Sequence, residues 1–186
     1  MKRILSLIAL AAMVSMSWAQ TTAEENARIA ANKAAGRYGI EFTVTPMHDE
    51  GETSCATILF HYTFPDGNMK QMNIELPWPV EFFTGGEVKE VDINFDGIDD
   101  VQVELGLLTG SGTNSFYAGL LWDKEKQEFV EIPVYCDIVN AEPDPGNKCI
   151  MGYIIETPHV SVQKWEWKDG ILVKTHEHEE NLLEEE

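Results

Sequence analysis

The sequence predicts a mainly β protein, an antiparallel β-sandwich or barrel-like sheet with one short N-terminal helix. Three observations carry that expectation. Pro65-Asp66-Gly67-Asn68 separates two β-patterned runs, 54–64 and 69–76, with the turn chemistry of a hairpin. Asp169-Gly170 joins 160–168 to 171–175, a two-residue loop suited to positive φ and hence to a type I′ turn. Between these hairpins, short runs at 88–93, 100–107, 117–122, 129–134 and 150–156 follow one another at the spacing of sandwich and barrel strands.

The chain begins with a processing signal. Lys2 and Arg3 precede an apolar run from Ile4 to Val14, and Ser17 and Ala19 stand at the −3 and −1 positions of a cut before Gln20. Residues 1–19 therefore read as a secretory signal peptide, too short in its apolar part to span a bilayer comfortably. The first cysteine is Cys55, so no lipid anchor is expected at the cut. The expected mature protein is periplasmic or secreted, with no membrane span.

Residues 20–36 form the predicted helical segment. Thr22 and Glu25 have capping-box spacing, and Gly36 stops an Ala-rich stretch. Residues 37–178 are then a single β domain, in which Trp165 and Trp167 share one strand face and read as core or sheet surface. The end of the chain, 179–186, reads as an acidic tail. His176 and His178 beside it are two apart and could join Glu180 on zinc, but a frayed, solvated strand end is the expectation.

Composition bounds the function. The chain has 186 residues, 44% of them hydrophobic, which suits one domain with a real core and not a complete propeller. Its 32 acidic residues against 13 Lys and Arg give a net charge of −19, and removing Lys2 and Arg3 with the leader makes it −21. Such acidity argues against nucleic acid, whose phosphates demand cationic side chains. Metal cations and basic proteins remain as partners.

Export permits disulfides, and there are three cysteines. Cys136 and Cys149 bracket the turn-rich stretch 137–148, a loop that a disulfide would stabilise by about 3 kcal/mol. Cys55 is then left over beside Ala56 and Ile58, as a small buried apolar residue.

Residues 92–100 carry definite chemistry. They read Asp-Ile-Asn-Phe-Asp-Gly-Ile-Asp-Asp, a D-x-N-x-D-G-x-x-D calcium loop. Asp92, Asn94 and Asp96 share one parity, so a curled backbone can turn their oxygens to one centre while Ile93 and Phe95 face the core. Gly97 permits the reversal. The carbonyl of Ile98 and the carboxylate of Asp100 complete the expected ligand set, with Asp99 outside it. Three carboxylates held together favour a divalent cation as neutralising partner. The loop is not an EF-hand, because Val103 stands where the bidentate Glu is required, and Val101, Val103 and Leu105 continue with strand periodicity. Calcium in a structural role is the expectation.

This loop opening a strand, a Gly-rich stretch after it, and then Tyr117-Ala118-Gly119-Leu120-Leu121-Trp122-Asp123 and Phe129 resemble the FG-GAP/VCBS-like calcium units of exported bacterial proteins. More narrowly, the pattern over residues 88–175 is similar to single-domain periplasmic calcium-binding proteins related to i-type lysozyme inhibitors. That resemblance implies a loop that enters a lysozyme cleft, with Ser111, Gly112 and Tyr117 as the matching residues. Four residues separate Gly112 from Tyr117, more than the family pattern has. A lysozyme or other cell-wall hydrolase is the implied partner, and the acidity of the chain suits a basic enzyme. The alternative is a structural or carbohydrate-binding envelope module with a bracing calcium site. G-x-S-x-G, H-E-x-x-H and a phosphate-binding glycine fingerprint do not occur, so a non-enzymatic role is expected.

Overall fold

The computed structural model describes residues 23–48, 54–80, 83, 85–107 and 114–181; the leader, Thr22, Ser111 and Gly112 lie outside them. Helix α1 covers residues 23–34. It ends as its sequence requires: Gly36 takes φ +71°, its N–H reaches Lys33 O at 3.2 Å, and Arg37 N reaches Asn32 O at 2.8 Å. This pair of bonds is a Schellman cap, which satisfies the last carbonyls of the helix.

Among the described residues, the strands form three antiparallel sheets, each built from consecutive strands. The first contains β1 (Glu41–His48), β2 (Cys55–Thr63) and β3 (Met69–Val80). The middle sheet contains β4 (Val88–Val91), β5 (Asp100–Leu107), β6 (Ser115–Asp123) and β7 (Glu128–Glu131). A 3-10 turn at Tyr135–Asp137 leads to the third, with β8 (Glu142–Asp144), β9 (Cys149–Glu156), β10 (His159–Lys168) and β11 (Ile171–Asn181). The Asp169-Gly170 turn has φ +50° and +79°, the two positive values a type I′ hairpin needs.

Strand alternation divides the core in two. Val101, Val103 and Leu105 of β5, with Phe116, Ala118, Leu120 and Trp122 of β6, pack on Ile58, Phe60, Tyr62 and Ile74 of the first sheet. Tyr62, Trp122 and Phe60 surround Phe129 edge-on at 5.0, 5.0 and 5.7 Å, arrangements worth about 0.5–1.5 kcal/mol each beyond area burial. On the other face, Tyr117 and Leu121 meet a second cluster of Ile93, Tyr135, Ile138, Ile150, Trp165 and Leu172. The middle sheet is thus sandwiched on both faces.

That double cover makes its polar residues structural. Gln102, in the polar register of β5, is buried, and its Nε2 donates to Ala141 O at 2.7 Å and Tyr135 Oη at 3.3 Å. Gly119 on β6 lies under the ring of Tyr135, where a Cβ would come within 2.6 Å of ring carbon.

Several expectations need correction. Of the two expected forms, the three sheets among the described residues are consistent with the sandwich. β1 and β8 were not foreseen, and β1 tolerates Pro46 because it is an edge strand. β11 pairs with β10 as far as Asn181↔His159, so Glu179 and Glu180 of the expected tail stand on the strand. The Cys136–Cys149 disulfide is not formed and all three thiols are free. Cys136 Sγ turns to Pro133 O at 3.4 Å, while Cys149 Sγ lies 3.8 Å from Met151 Sδ. The segment between them is instead closed by the β8–β9 hairpin, with Asp144 Oδ1 accepting the N–H groups of Gly146 and Asn147. Burial pushes both thiols up from their ordinary pKa. Cys55 is fully buried, as expected.

Candidate metal centre

The Asp/Asn loop is the connection between β4 and β5, which pair as far as Val91↔Asp100. Its side chains bond back to the backbone of the loop itself. Asp92 accepts the N–H of Asp96 at 3.1 Å and of Gly97 at 2.8 Å. Asn94 Oδ1 accepts Asp96 N at 3.0 Å, and Asp96 Oδ1 accepts Ile98 N at 2.9 Å. Gly97 takes φ +87° and Phe95 φ +62°, so the backbone reverses twice while Ile93 and Phe95 pack into the second cluster.

Asp100 is 1% exposed. Its Oδ1 accepts Trp122 N at 2.9 Å, and its Oδ2 accepts Ile93 N at 2.9 Å and Asn94 N at 3.3 Å. The carboxylate therefore ties both ends of the loop to β6. Burial pushes its pKa up to about 7, against the pull of those N–H groups, and burial likewise raises Asp92. A divalent ion beside them would oppose both shifts.

The structure also holds the loop from outside, through residues that sequence reasoning missed. Asn32 of α1 donates from Nδ2 to Asp99 Oδ2 at 2.5 Å and accepts Asp99 N at 2.8 Å. Arg37 Nε donates to Asp99 O at 2.8 Å, and Arg28 approaches the Asp99 carboxylate at 3.5 Å. The buried Arg37 guanidinium also meets Glu90 at 3.0 Å and lies over the rings of Phe42 and Phe129 at 5.0 and 5.1 Å. Burial lowers its pKa while Glu90 and Asp99 oppose the shift. Trp167 Nε1 completes the brace from β10, donating to Ile93 O at 2.9 Å. Asp99 is thus a docking residue for the helix. An Asn inside an Ala-rich amphipathic stretch gives no signal of such a partner 67 positions away.

Asp92, Asn94, Asp96 and Asp100 carry side-chain oxygens of the kind a hard divalent cation takes, and in this structure those oxygens accept backbone N–H groups. Among the described residues, no three His, Cys, Asp or Glu side chains form a ready-made metal cage. An ion here would use Asn94 and the Ile98 carbonyl beside the carboxylates and supply charge neutralisation.

The expected partner loop lies at the other end of β5. Leu107 pairs with Ser115, so residues 108–113 connect β5 to β6; Ser111 and Gly112 fall outside the described residues. Tyr117 is part of β6, opposite Glu104 and partly packed in the second cluster. Asn114, buried at the base of the connection, donates to Ile155 O at 3.1 Å and accepts Ile155 N at 2.9 Å. Asn140 bridges the same base, giving Nδ2 to Asn114 Oδ1 at 3.1 Å and to Tyr153 O at 2.8 Å.

These features define an all-β, three-sheet protein with an oxygen-rich loop on its doubly covered middle sheet. No protein-family profile matches the chain, and no curated protein does. A similar solved structure is that of a Xanthomonas type IV secretion system related protein, 19% identical, with a TM-score of 0.50, covering 78% of this chain and 80% of that one. At this identity the likeness is one of fold. Among the described residues, no helix is long and apolar enough to cross a membrane.

Proposed function

We propose that the protein is an exported, calcium-braced β protein that binds another macromolecule, with a basic lysozyme or other cell-wall hydrolase as partner, in the periplasm or outside the cell. One observation carries this reading: the Asp/Asn loop and the 108–113 connection stand at opposite ends of β5. From Asp100, which belongs to both the loop and β5, to Leu107 is seven steps along the strand, a rise of about 23 Å. Calcium at one end therefore stiffens the middle sheet without touching a partner held at the other. The anchoring of Asn114 to β9 supports a connection presented from a rigid base, which lowers the ordering cost of binding.

The test is inhibition of purified c-, g- and i-type lysozymes by the protein with calcium present. One class should be inhibited, and Ser111→Ala should remove inhibition without moving the melting temperature. Tyr117→Phe is the better companion than Tyr117→Ala, because Tyr117 is also core. Folded, calcium-loaded protein that inhibits no class overturns the hydrolase partner.

A second reading, a carbohydrate-binding or structural envelope module, is favoured by a surface groove of ≈ 520 Å³ lined by Leu121, Val130, Ile132, Val134, Trp167 and Ile171. It predicts retention on cell-wall glycan that Trp167→Ala weakens and Ser111→Ala leaves intact.

A further inference from the structure

We propose that His176 and His178 on β11 form a surface site for a borderline divalent transition cation, zinc in the first instance, distinct from the Asp/Asn loop. Register places them together. His176 pairs with Lys164, His178 with Val162 and Glu180 with Val160 on β10, so the three alternate residues share one face of the third sheet. That face is anchored, because Val160 and Val162 are buried while both histidines and Glu180 are exposed to solvent.

The spacing fits a chelate. Alternate residues on a strand stand about 7 Å apart, yet the two imidazole rings lean together to 5.3 Å between centroids, at 42°. An ion that holds two imidazole nitrogens at about 2.0 Å in a tetrahedral arrangement keeps the ring centres roughly 5 Å apart. His178 Nε2 already lies 2.9 Å from Glu180 Oε1, so a carboxylate oxygen stands where a third donor is needed. A modest turn of the three exposed side chains brings them to one ion, with water completing the shell. Lys164, opposite His176, is held by Glu166 at 2.7 Å, and Lys174 by Glu177 at 2.7 Å, which offsets their repulsion. Imidazole donors select zinc, copper or nickel, whereas the all-oxygen loop selects calcium, so the two sites separate by ligand chemistry.

Calorimetric titration of the full chain with Zn²⁺, in saturating Ca²⁺, tests this. One equivalent should bind, His176→Ala and His178→Ala should each weaken it by about tenfold or more, and Glu180→Gln by less. Asp92→Ala should leave zinc binding unchanged. The ring proton resonances of both histidines should shift together on zinc addition. Absence of zinc binding by folded protein, binding that survives the double His176→Ala, His178→Ala substitution, or loss on Asp92→Ala would each overturn the site.

Discussion

Asn32 grips Asp99 at two points, its Nδ2 on the carboxylate and its Oδ1 on the backbone N–H of the same residue. The contact joins the only described helix to the connection that opens β5, and Arg37 reinforces it from the helix cap through the Asp99 carbonyl. The N-terminal segment is therefore part of the loop's support.

Asn32→Ala leaves the buried Asp99 N–H unpaired and its carboxylate with Arg28 at 3.5 Å, which costs about 2–3 kcal/mol. Urea unfolding should show that loss with little change in its denaturant slope. Ala in place of the exposed Lys33 should change stability by less than about 0.5 kcal/mol.

On the proposed reading, calcium would bind the folded loop and not the unfolded chain, and so would stabilise by mass action. At a hundredfold excess over Kd the gain is about 2.7 kcal/mol. EDTA should lower the melting temperature of the calcium-loaded protein, and Asp92→Ala or Asp96→Ala should abolish the response. Equal melting of wild type with calcium and with EDTA would reject the site.

Gly119→Ala forces a methyl group into the ring of Tyr135, which is fully buried and hydrogen-bonded by Gln102. Overpacking of this kind costs about 1–3 kcal/mol. Chemical denaturation should place the variant well below wild type, whereas Gly67→Ala, whose Cβ meets nothing, should lose only what its φ of +86° imposes.

Burial, with Glu75 nearby, raises the pKa of Glu131 above the ordinary carboxylate value. A folded value above the unfolded one means the native state binds more protons, so this group's contribution falls as pH rises between the two values. Glu131→Gln should therefore raise the melting temperature at pH 7 and by much less at pH 4. A uniform shift across that range would show that ionisation is not the cause.

The sequence by itself determined the β class, both hairpin turns, the helix stop at Gly36 and the spacing of Asp92, Asn94, Asp96 and Asp100. Each of these is local: a turn needs positive φ at fixed positions, and a strand alternates its faces every two residues. Local chemistry also misled where partners were distant. Cys136 and Cys149 bracket a turn-rich stretch, but strand pairing from Glu142 to Met151 closes it without a bond between sulfurs. His176 and His178 are solvent-exposed, as expected, but they are paired with Lys164 and Val162 of β10 and not frayed.

Only the tertiary structure decided that both faces of the middle sheet are covered. Gln102 alternates with the apolar Val101 and Val103, yet it is buried, because Tyr135 and Ala141 in the connection before β8 satisfy its amide. It also decided that Asp99 belongs to the helix and Asp100 to β6. Asp99 stands just before β5 and Asp100 is its first residue, and which partner each of these two adjacent carboxylates meets is a property of the whole chain.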